Sequence, residues 1–316
     1  MVSGCQDVIQ GRIVGGYVPA PYSIRYIVSI QSATGQHFCG GTLINKYWIL
    51  TAAHCNIGAE NMRIVAGDFS VGLYEGTEQF RRPQVLLPHP QYNKATNNAD
   101  IMLIKLQSPI YLNSYVTLAP LPRQDAVVAV GRVCTVSGWG FTTPTGGIPA
   151  TLRTVKLPIV SSTVCNDTDS FNGNITENMI CAGYSEGGKD ACKGDSGGPL
   201  VCEGRVYGIV SWGNSCADAR YPGVYTSVSR FRQWIDGTIF GFYGSEFIWL
   251  KNFTDFYTQA QFEVATYQTE KPSALESEVK CILSICCSTS AHSRSQSYVC
   301  IDQADERDGQ IDIVEE

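Results

Sequence analysis

The sequence reads Asp190-Ala191-Cys192-Lys193-Gly194-Asp195-Ser196-Gly197-Gly198-Pro199 at its most informative point. A serine hydroxyl is a weak nucleophile at neutral pH unless a nearby base takes its proton. It also needs backbone N–H groups that face the negative charge developing on a carbonyl oxygen. Glycines on both sides of Ser196 permit a tight turn that brings such donors close to a ligand. The same residues also fit a surface turn, so the rest of the chain has to decide between the two interpretations.

A base and an acid that could serve Ser196 occur earlier in the chain. His54 ends the run Trp48-Ile49-Leu50-Thr51-Ala52-Ala53-His54-Cys55, and Asp100 precedes the apolar run Ile101-Met102-Leu103-Ile104. A lone histidine beside an apolar run is usually a core residue, and a lone aspartate there is often a turn residue. Taken together, a carboxylate at Asp100 could fix the tautomer of His54 and stabilise its imidazolium.

The three motifs follow the order His54, Asp100, Ser196, and together they resemble the chymotrypsin/trypsin-type serine proteases over roughly residues 12–241. This order differs from those of the subtilisins and the α/β-hydrolases. The resemblance implies that Ser196 attacks a scissile peptide carbonyl, His54 transfers protons, and Asp100 orients His54. The N–H groups of Gly194 and Ser196 would form the oxyanion hole. An inactive binding homologue is the alternative, but it usually requires loss of His, Asp or Ser, and all three are present.

The run Arg12-Ile13-Val14-Gly15-Gly16 resembles the activation site of the family. The resemblance implies a zymogen that is cleaved after Arg12, with the new α-amino group of Ile13 pairing with Asp195. A buried carboxylate needs such a partner, because an unpaired buried charge is costly.

The resemblance places Asp190 at the base of the primary specificity pocket, where it would bind an Arg or Lys side chain. A solvated loop aspartate is the alternative. Ser211-Trp212-Gly213 would form one wall and pair with the substrate backbone, and Gly223 would keep the second wall open. Lys193 at the pocket lip is expected to favour acidic residues near the scissile bond.

Thirteen cysteines are present, and the resemblance implies four bridges among eight of them: Cys39–Cys55, Cys134–Cys202, Cys165–Cys181 and Cys192–Cys216. Disulfides indicate an oxidising compartment, so we expect secretion. Asn166, Asn174 and Asn252 begin N-glycosylation triplets. Residues 1–12 lack the apolar core of a signal peptide, so we expect a start upstream of Met1.

A segment from Asp68 to Glu78 resembles the calcium loop of trypsins. Hard oxygen ligands suit Ca²⁺, and a solvated acidic loop is the alternative. The expected ligands are the side chains of Asp68, Glu75 and Glu78 and the carbonyls of Ser70 and Leu73. No cofactor is expected to be needed for catalysis.

Short apolar or alternating runs broken by Gly, Pro and Asn predict an all-β domain over residues 13–241. The resemblance implies two six-stranded antiparallel Greek-key barrels, about 13–120 and 121–241. Helical spacing of Phe231, Trp234, Ile235 and Ile239 predicts a terminal helix, for which we expect packing on the second barrel and an N-cap at Ser229.

Residues 1–12 are expected to be the remnant of an activation peptide, and residues 242–316 an acidic, cysteine-containing and disordered extension. The extension carries 13 acidic and five basic residues, so its net charge of −8 accounts for the overall −6. The acidity therefore says nothing about the catalytic surface.

The expected partners are protein or peptide substrates containing Arg or Lys, and protein protease inhibitors. Nothing in the sequence indicates nucleic acid or membrane binding, and we expect a monomer. A twelve-residue leader favours a digestive enzyme over a regulatory protease of narrow specificity, since the latter often carry long N-terminal modules.

Overall fold

The computed structural model describes residues 13–143 and 149–241. Arg12, Asn252 and the expected extension, residues 242–316, lie outside the described residues.

The described residues form a predominantly antiparallel β structure, which confirms the predicted fold class. The strands run β1 Ile27–Ser32, β2 His37–Asn45, β3 Trp48–Thr51, β4 Met62–Ala66, β5 Gln79–Arg81, β6 Pro83–Pro88, β7 Met102–Leu106, β8 Val133–Gly138, β9 Arg153–Val160, β10 Met179–Ala182, β11 Pro199–Cys202, β12 Arg205–Trp212 and β13 Gly223–Ser227. A short helix α1 spans Ser162–Cys165, and a terminal helix α2 covers residues 232–241.

The first sheet has seven strands in the order β5-β4-β1-β2-β3-β7-β6, rather than the six that we expected. Its two outermost strands, β5 and β6, are consecutive in sequence and separated only by Arg82. β5 pairs with β4, whereas β6 pairs with β7. This continuous segment therefore pairs with β4 before Arg82 and with β7 after it, and so connects the two ends of the sheet. Because it counts as two strands, the barrel-like sheet has seven strands instead of six.

The second sheet is a closed six-stranded barrel in the order β10-β13-β12-β11-β8-β9. Four disulfides join the same pairs that the resemblance implies: Cys39–Cys55, Cys134–Cys202, Cys165–Cys181 and Cys192–Cys216. Cys134–Cys202 links neighbouring strands β8 and β11 of this barrel, whereas Cys192–Cys216 joins two loops.

Helix α2, which we expected on the second barrel, packs on a core cluster that comes mainly from the first barrel and also includes Val206 and Ile209 of the second. Phe231, Ile235 and Ile239 are buried in one cluster with first-barrel residues such as Leu103. The ring of His89 packs edge-to-face on Phe231 and Trp234, with distances between ring centroids of 4.8 and 4.9 Å. The helical periodicity was correct, but a period shows only which face is buried and not which surface covers it.

The expected N-cap is also wrong. Ser229 lies inside a 3-10 turn, Val228–Phe231, and this turn leads directly into α2. Within the described ranges, none of the helices has the length and apolar character needed to cross a bilayer.

Candidate active site

The side chains of His54 and Asp100 are paired as the sequence predicted. His54 lies in a 3-10 turn, Ala53–Cys55, which follows β3, and Asp100 precedes β7, the neighbour of β3 in the sheet. Nδ1 of His54 lies 2.6 Å from Oδ2 of Asp100, and the His54 backbone N–H donates to Oδ1 at 2.9 Å. Asp100 is fully buried, whereas the His54 side chain is 28% exposed. The carboxylate therefore holds the ring through Nδ1 from inside the protein, while part of the ring stays exposed.

The second barrel also holds Asp100, through residues whose role the sequence did not reveal. Ser211 Oγ donates to Asp100 Oδ2 at 2.6 Å, and Thr226 Oγ1 donates to the Asp100 carbonyl at 2.8 Å. We had assigned Ser211 to a pocket wall, but its hydroxyl faces the carboxylate. No sequence signal distinguishes these hydroxyls from other strand hydroxyls, because the contacts join positions more than 100 residues apart.

Asn98 forms a further contact between the barrels, just before Asp100. Its Oδ1 accepts from Thr176 Oγ1 at 2.8 Å and from Asn178 Nδ2 at 3.1 Å. Ala99, between Asn98 and Asp100, has φ of 54°, a left-handed conformation that costs a non-glycine residue about 1–3 kcal/mol. The hydrogen bonds of Asn98 and Asp100 on either side stabilise this conformation.

Ser196 lies in a turn that touches the first barrel beside His54. The Gly40 N–H donates to the Ser196 carbonyl at 2.8 Å, and Sγ of Cys55, the residue after His54, lies 3.7 Å from the same oxygen. Within the described part of the chain, the N–H groups of Gly194 and Ser196 donate no hydrogen bond, whereas those of their neighbours Asp195 and Gly197 do. Two donors therefore remain available beside the serine hydroxyl, as an oxyanion hole requires.

Gly194 owes its orientation to two features. Its φ is +96°, which L side chains rarely adopt, so the turn requires glycine here. Its carbonyl oxygen lies 2.9 Å from Nε2 of His37, and Nδ1 of that ring lies 2.8 Å from Ser29 Oγ. Burial lowers the pKa of His37, so the ring is neutral and donates from only one nitrogen. No motif surrounds His37 in the sequence, so its role could not be predicted from the sequence.

Asp190 lies at the base of a pocket of about 380 Å³. Its Oδ2 accepts from the Ala217 N–H at 3.0 Å, while Oδ1 is buried and has no hydrogen-bond partner among the described residues. Burial raises the pKa of Asp190 to about 7. A Cβ on Gly223 would stand 2.6 Å from Oδ1, so glycine keeps the carboxylate accessible. The pocket is also lined by Lys193, Ser196, Trp212 and Gly213.

Asp195 is fully buried behind the Ser196 turn. Its Oδ1 accepts from the Gly140 N–H at 2.8 Å, and Oδ2 accepts from the Cys192 N–H at 2.9 Å. Burial raises the pKa of Asp195 to about 7, and these two hydrogen bonds oppose that rise. Ile13 is fully buried in the core of the second barrel, and Val14 accepts the Asp190 N–H at 3.1 Å. The segment after Arg12 therefore lies against the loop that carries Asp190 and Asp195.

The acidic loop brings the carboxylates of Asp68, Glu75 and Glu78 within 4.8 Å of one another. Burial, followed by the charges of Glu78 and Glu75, raises the pKa of Asp68 to about 7. Asp68 Oδ1 is buried without a partner among the described residues. The Ser70 carbonyl, an expected ligand, accepts the Leu73 N–H at 3.0 Å and keeps a second lone pair.

This fold and this site together define a serine endopeptidase. The sequence matches the family model for trypsin over residues 13–235. It is 48% identical over 229 residues to a trypsin of Sus scrofa, covering 72% of this chain and 96% of that protein. Trypsin of Xenopus laevis is 47% identical over 72% of this chain and 91% of its own length, and Trypsin-3 of Salmo salar is 48% identical over 72% and 93%.

The chain thus belongs to the trypsin family of serine proteases, which confirms the sequence-based resemblance and the predicted hydrolase activity. Membership implies protein substrates and protein inhibitors in general. The alternative of an inactive binding homologue finds no support in these matches.

We predict that Ser211→Ala lowers kcat about 10- to 100-fold with little change in KM, because a hydrogen bond to a charged group is worth about 1.5–3 kcal/mol. The measurement is steady-state hydrolysis of a short ester by the processed enzyme. Ser185→Ala is the matched control, since Ser185 is exposed and its hydroxyl bonds, among the residues that the structure describes, to Glu186 alone. Full kcat in Ser211→Ala would show that Asp100 does not need the second barrel.

Proposed function

We propose that this chain is a secreted zymogen of a digestive, trypsin-like endopeptidase that cleaves after Arg or Lys. The observation that carries the specificity is the Asp190 carboxylate at a pocket of about 380 Å³, whose buried Oδ1 has no hydrogen-bond partner among the described residues. A buried carboxylate of this kind favours a cationic ligand, because a guanidinium or ammonium group supplies the missing charge and hydrogen bonds.

In the proposed reaction, the Ser196 hydroxyl attacks the scissile carbonyl while Nε2 of His54 takes its proton. The carbonyl electrons move to the oxygen, and the N–H groups of Gly194 and Ser196 stabilise the resulting oxyanion. His54 then gives its proton to the leaving amine, and the C–N bond breaks to leave an acyl-enzyme. Water, deprotonated by His54, attacks the ester, and the Ser196 oxygen leaves with the proton. Asp100 holds the ring in one tautomer throughout.

We also propose that cleavage after Arg12 activates the enzyme. The new α-amino group of Ile13 would pair with Asp195 and supply the charge that this buried carboxylate lacks. The burial of Ile13 and the contact of Val14 with Asp190 support this arrangement. Arg12 also matches the proposed specificity, so the enzyme could activate further copies of itself.

Secretion is supported by four disulfides, which form and persist in oxidising compartments. We propose that the enzyme acts as a monomer. Wall residues Ser211–Gly213 would pair with the substrate backbone, and Lys193, which is exposed on the pocket, would favour acidic residues near the scissile bond.

A calcium ion in the acidic loop is a further part of the proposal. The three clustered carboxylates and the unpartnered Asp68 Oδ1 fit a hard cation that takes oxygen ligands. The side chains of Asp68, Glu75 and Glu78, with the carbonyls of Ser70 and Leu73, would hold it. The ion would compensate the negative charges of the carboxylates and stabilise the loop between β4 and β5.

The test of the proposed function begins with cleavage after Arg12 and confirmation of Ile13 as the new N-terminus. Arg, Lys and Phe esters are then compared, with Ser196→Ala as the inactive control. We expect hydrolysis of the Arg and Lys esters. Preference for the Phe ester would overturn the assignment of Asp190.

Replacing the pocket carboxylate should remove the preference for cations. We predict that Asp190→Ser lowers kcat/KM for the Arg ester roughly 10²- to 10³-fold, since truncating one partner of a buried charge pair costs about 2–5 kcal/mol. Hydrolysis of the Phe ester should change far less. Asp218→Asn is the control, because Asp218 lies on the neighbouring loop between β12 and β13, which Cys192–Cys216 joins to the Asp190 loop, and pairs with Arg220 at the surface. Equal losses on all esters would contradict a direct contact.

Activity of the processed enzyme should fall at alkaline pH. An α-amino group has an ordinary pKa of about 7.7–8.0, and pairing with Asp195 should raise that value. The stabilisation from the pair is present below the ordinary pKa and disappears as the pH rises through the raised one. The measurement is kcat/KM for the Arg ester from pH 7 upwards, and full activity far above about pH 10 would contradict the switch.

Calcium should raise the melting temperature of the processed enzyme. A ligand present at 100 times its Kd stabilises the folded state by about 2.7 kcal/mol. Glu75→Gln should reduce this shift, whereas Glu60→Gln, an exposed change outside the cluster, should not. An equal shift in wild type and Glu75→Gln, measured by calorimetry, would rule out this site.

A further inference from the structure

A second cavity lies beside the Asp190 pocket. Its volume is about 560 Å³, within the range of ligand sites. It shares the lining residues Trp212 and Asn214 with the Asp190 pocket, so the two cavities adjoin at these residues. A substrate strand that pairs along Ser211–Gly213 would run beside this second cavity, which we call the asparagine groove after its polar lining: Asn97, Asn98, Asn172, Asn174 and Asn214.

The groove contains a complete acceptor triplet for N-glycosylation, Asn174-Ile175-Thr176. Asn174 and Thr176 both line the groove, and Ile175 is buried beneath it. Asn174 is exposed, and its Nδ2 donates to the Phe171 carbonyl at 2.8 Å. A glycosylated amide nitrogen keeps one hydrogen and can still donate. A sugar attached to Asn174 would therefore begin on the wall of the groove.

The other described triplet is unsuited to a sugar in the folded protein. Asn166 pairs both of its amide atoms with Ile175: Oδ1 accepts the Ile175 N–H at 3.0 Å, and Nδ2 donates to the Ile175 carbonyl at 3.1 Å. When both atoms of the amide pair with one residue, the Nδ2 hydrogen that donates is the one on the same side of the amide as Oδ1. A glycosylated side chain is a secondary amide, and its favoured trans form places the sugar on that side. The structure therefore favours Asn174 over Asn166 as the glycosylated residue, a choice that the sequence alone could not make.

We propose that Asn174 carries an N-linked glycan that occupies the asparagine groove and limits the binding of extended substrates upstream of the cleaved bond. The part that concerns substrates rests on the proposed function. Clustered amides suit an oligosaccharide, because an amide can offer two donors and an acceptor to sugar hydroxyls. The oxygen of Asn98 is already bonded to Thr176 and Asn178, so its contribution would come from Nδ2. The Asp190 pocket and the triad stay open, since Asn174 does not line that pocket.

The experiment compares the full chain made in a eukaryotic secretory host and in bacteria, which add no N-linked glycan. Wild type and Asn174→Gln are made in both hosts and cleaved after Arg12. Asn172→Gln is the matched control, because Asn172 lines the same groove but begins no acceptor triplet. Peptide mass mapping measures occupancy at Asn174. Values of kcat/KM are measured for a single-residue Arg ester and for a peptide with six residues before the Arg.

We expect a glycan on Asn174 in the secreted wild type. Asn174→Gln from the same host should cleave the long peptide about tenfold better, a change equivalent to about 1.4 kcal/mol. The ester should be hydrolysed equally by both proteins, and the two bacterial proteins should behave alike on both substrates.

An unmodified Asn174 in the secreted protein would overturn the proposal, as would an occupied Asn174 with an unchanged ratio of long-peptide to ester activity. Hydrolysis of the ester depends on the triad and the Asp190 pocket alone. If the proposed function is wrong, the ester is not hydrolysed; if only the glycan proposal is wrong, it still is. The mass measurement needs no catalysis, so it decides the modification in either case.

Discussion

The buried carboxylate of Asp195 is the constraint on which the rest of the site depends. It joins two segments through hydrogen bonds to the N–H groups of Gly140 and Cys192, and it sits between the oxyanion donors of Gly194 and Ser196. Burial raises its pKa to about 7, so a compensating cation is needed to keep it fully charged at neutral pH. In our proposal, the amino group that compensates it exists only after cleavage, which couples catalysis to processing.

The triad depends on contacts that cross between the two barrels in both directions. Asp100 comes from the first barrel and receives hydrogen bonds from Ser211 and Thr226 of the second. Ser196 comes from the second barrel, and its carbonyl accepts the N–H of Gly40 from the first. Each barrel thus holds the catalytic group of the other. Packing errors at this interface would misplace the proton donor and acceptor, and catalysis is sensitive to shifts of about 1 Å.

Local motifs in the sequence predicted the family, the β architecture and the pairing of His54 with Asp100, because short runs of residue types carry them. Two kinds of contact escaped prediction. Hydrogen bonds such as that of His37 with the Gly194 carbonyl join residues 157 positions apart without a motif. The period of an amphipathic helix also does not show which surface covers its apolar face, so the packing of Ile235 against first-barrel residues could not be predicted.

The most direct test of the role of Asp195 is calorimetric binding of an arylamidinium cation to the chain cleaved after Arg12. Asp195 does not line the Asp190 pocket, so it cannot touch this ligand. Breaking a buried ion pair costs about 3–5 kcal/mol, and we therefore predict that Asp195→Asn weakens binding by about 100-fold or more, while Asp218→Asn leaves it unchanged. Wild-type affinity in Asp195→Asn would contradict the account.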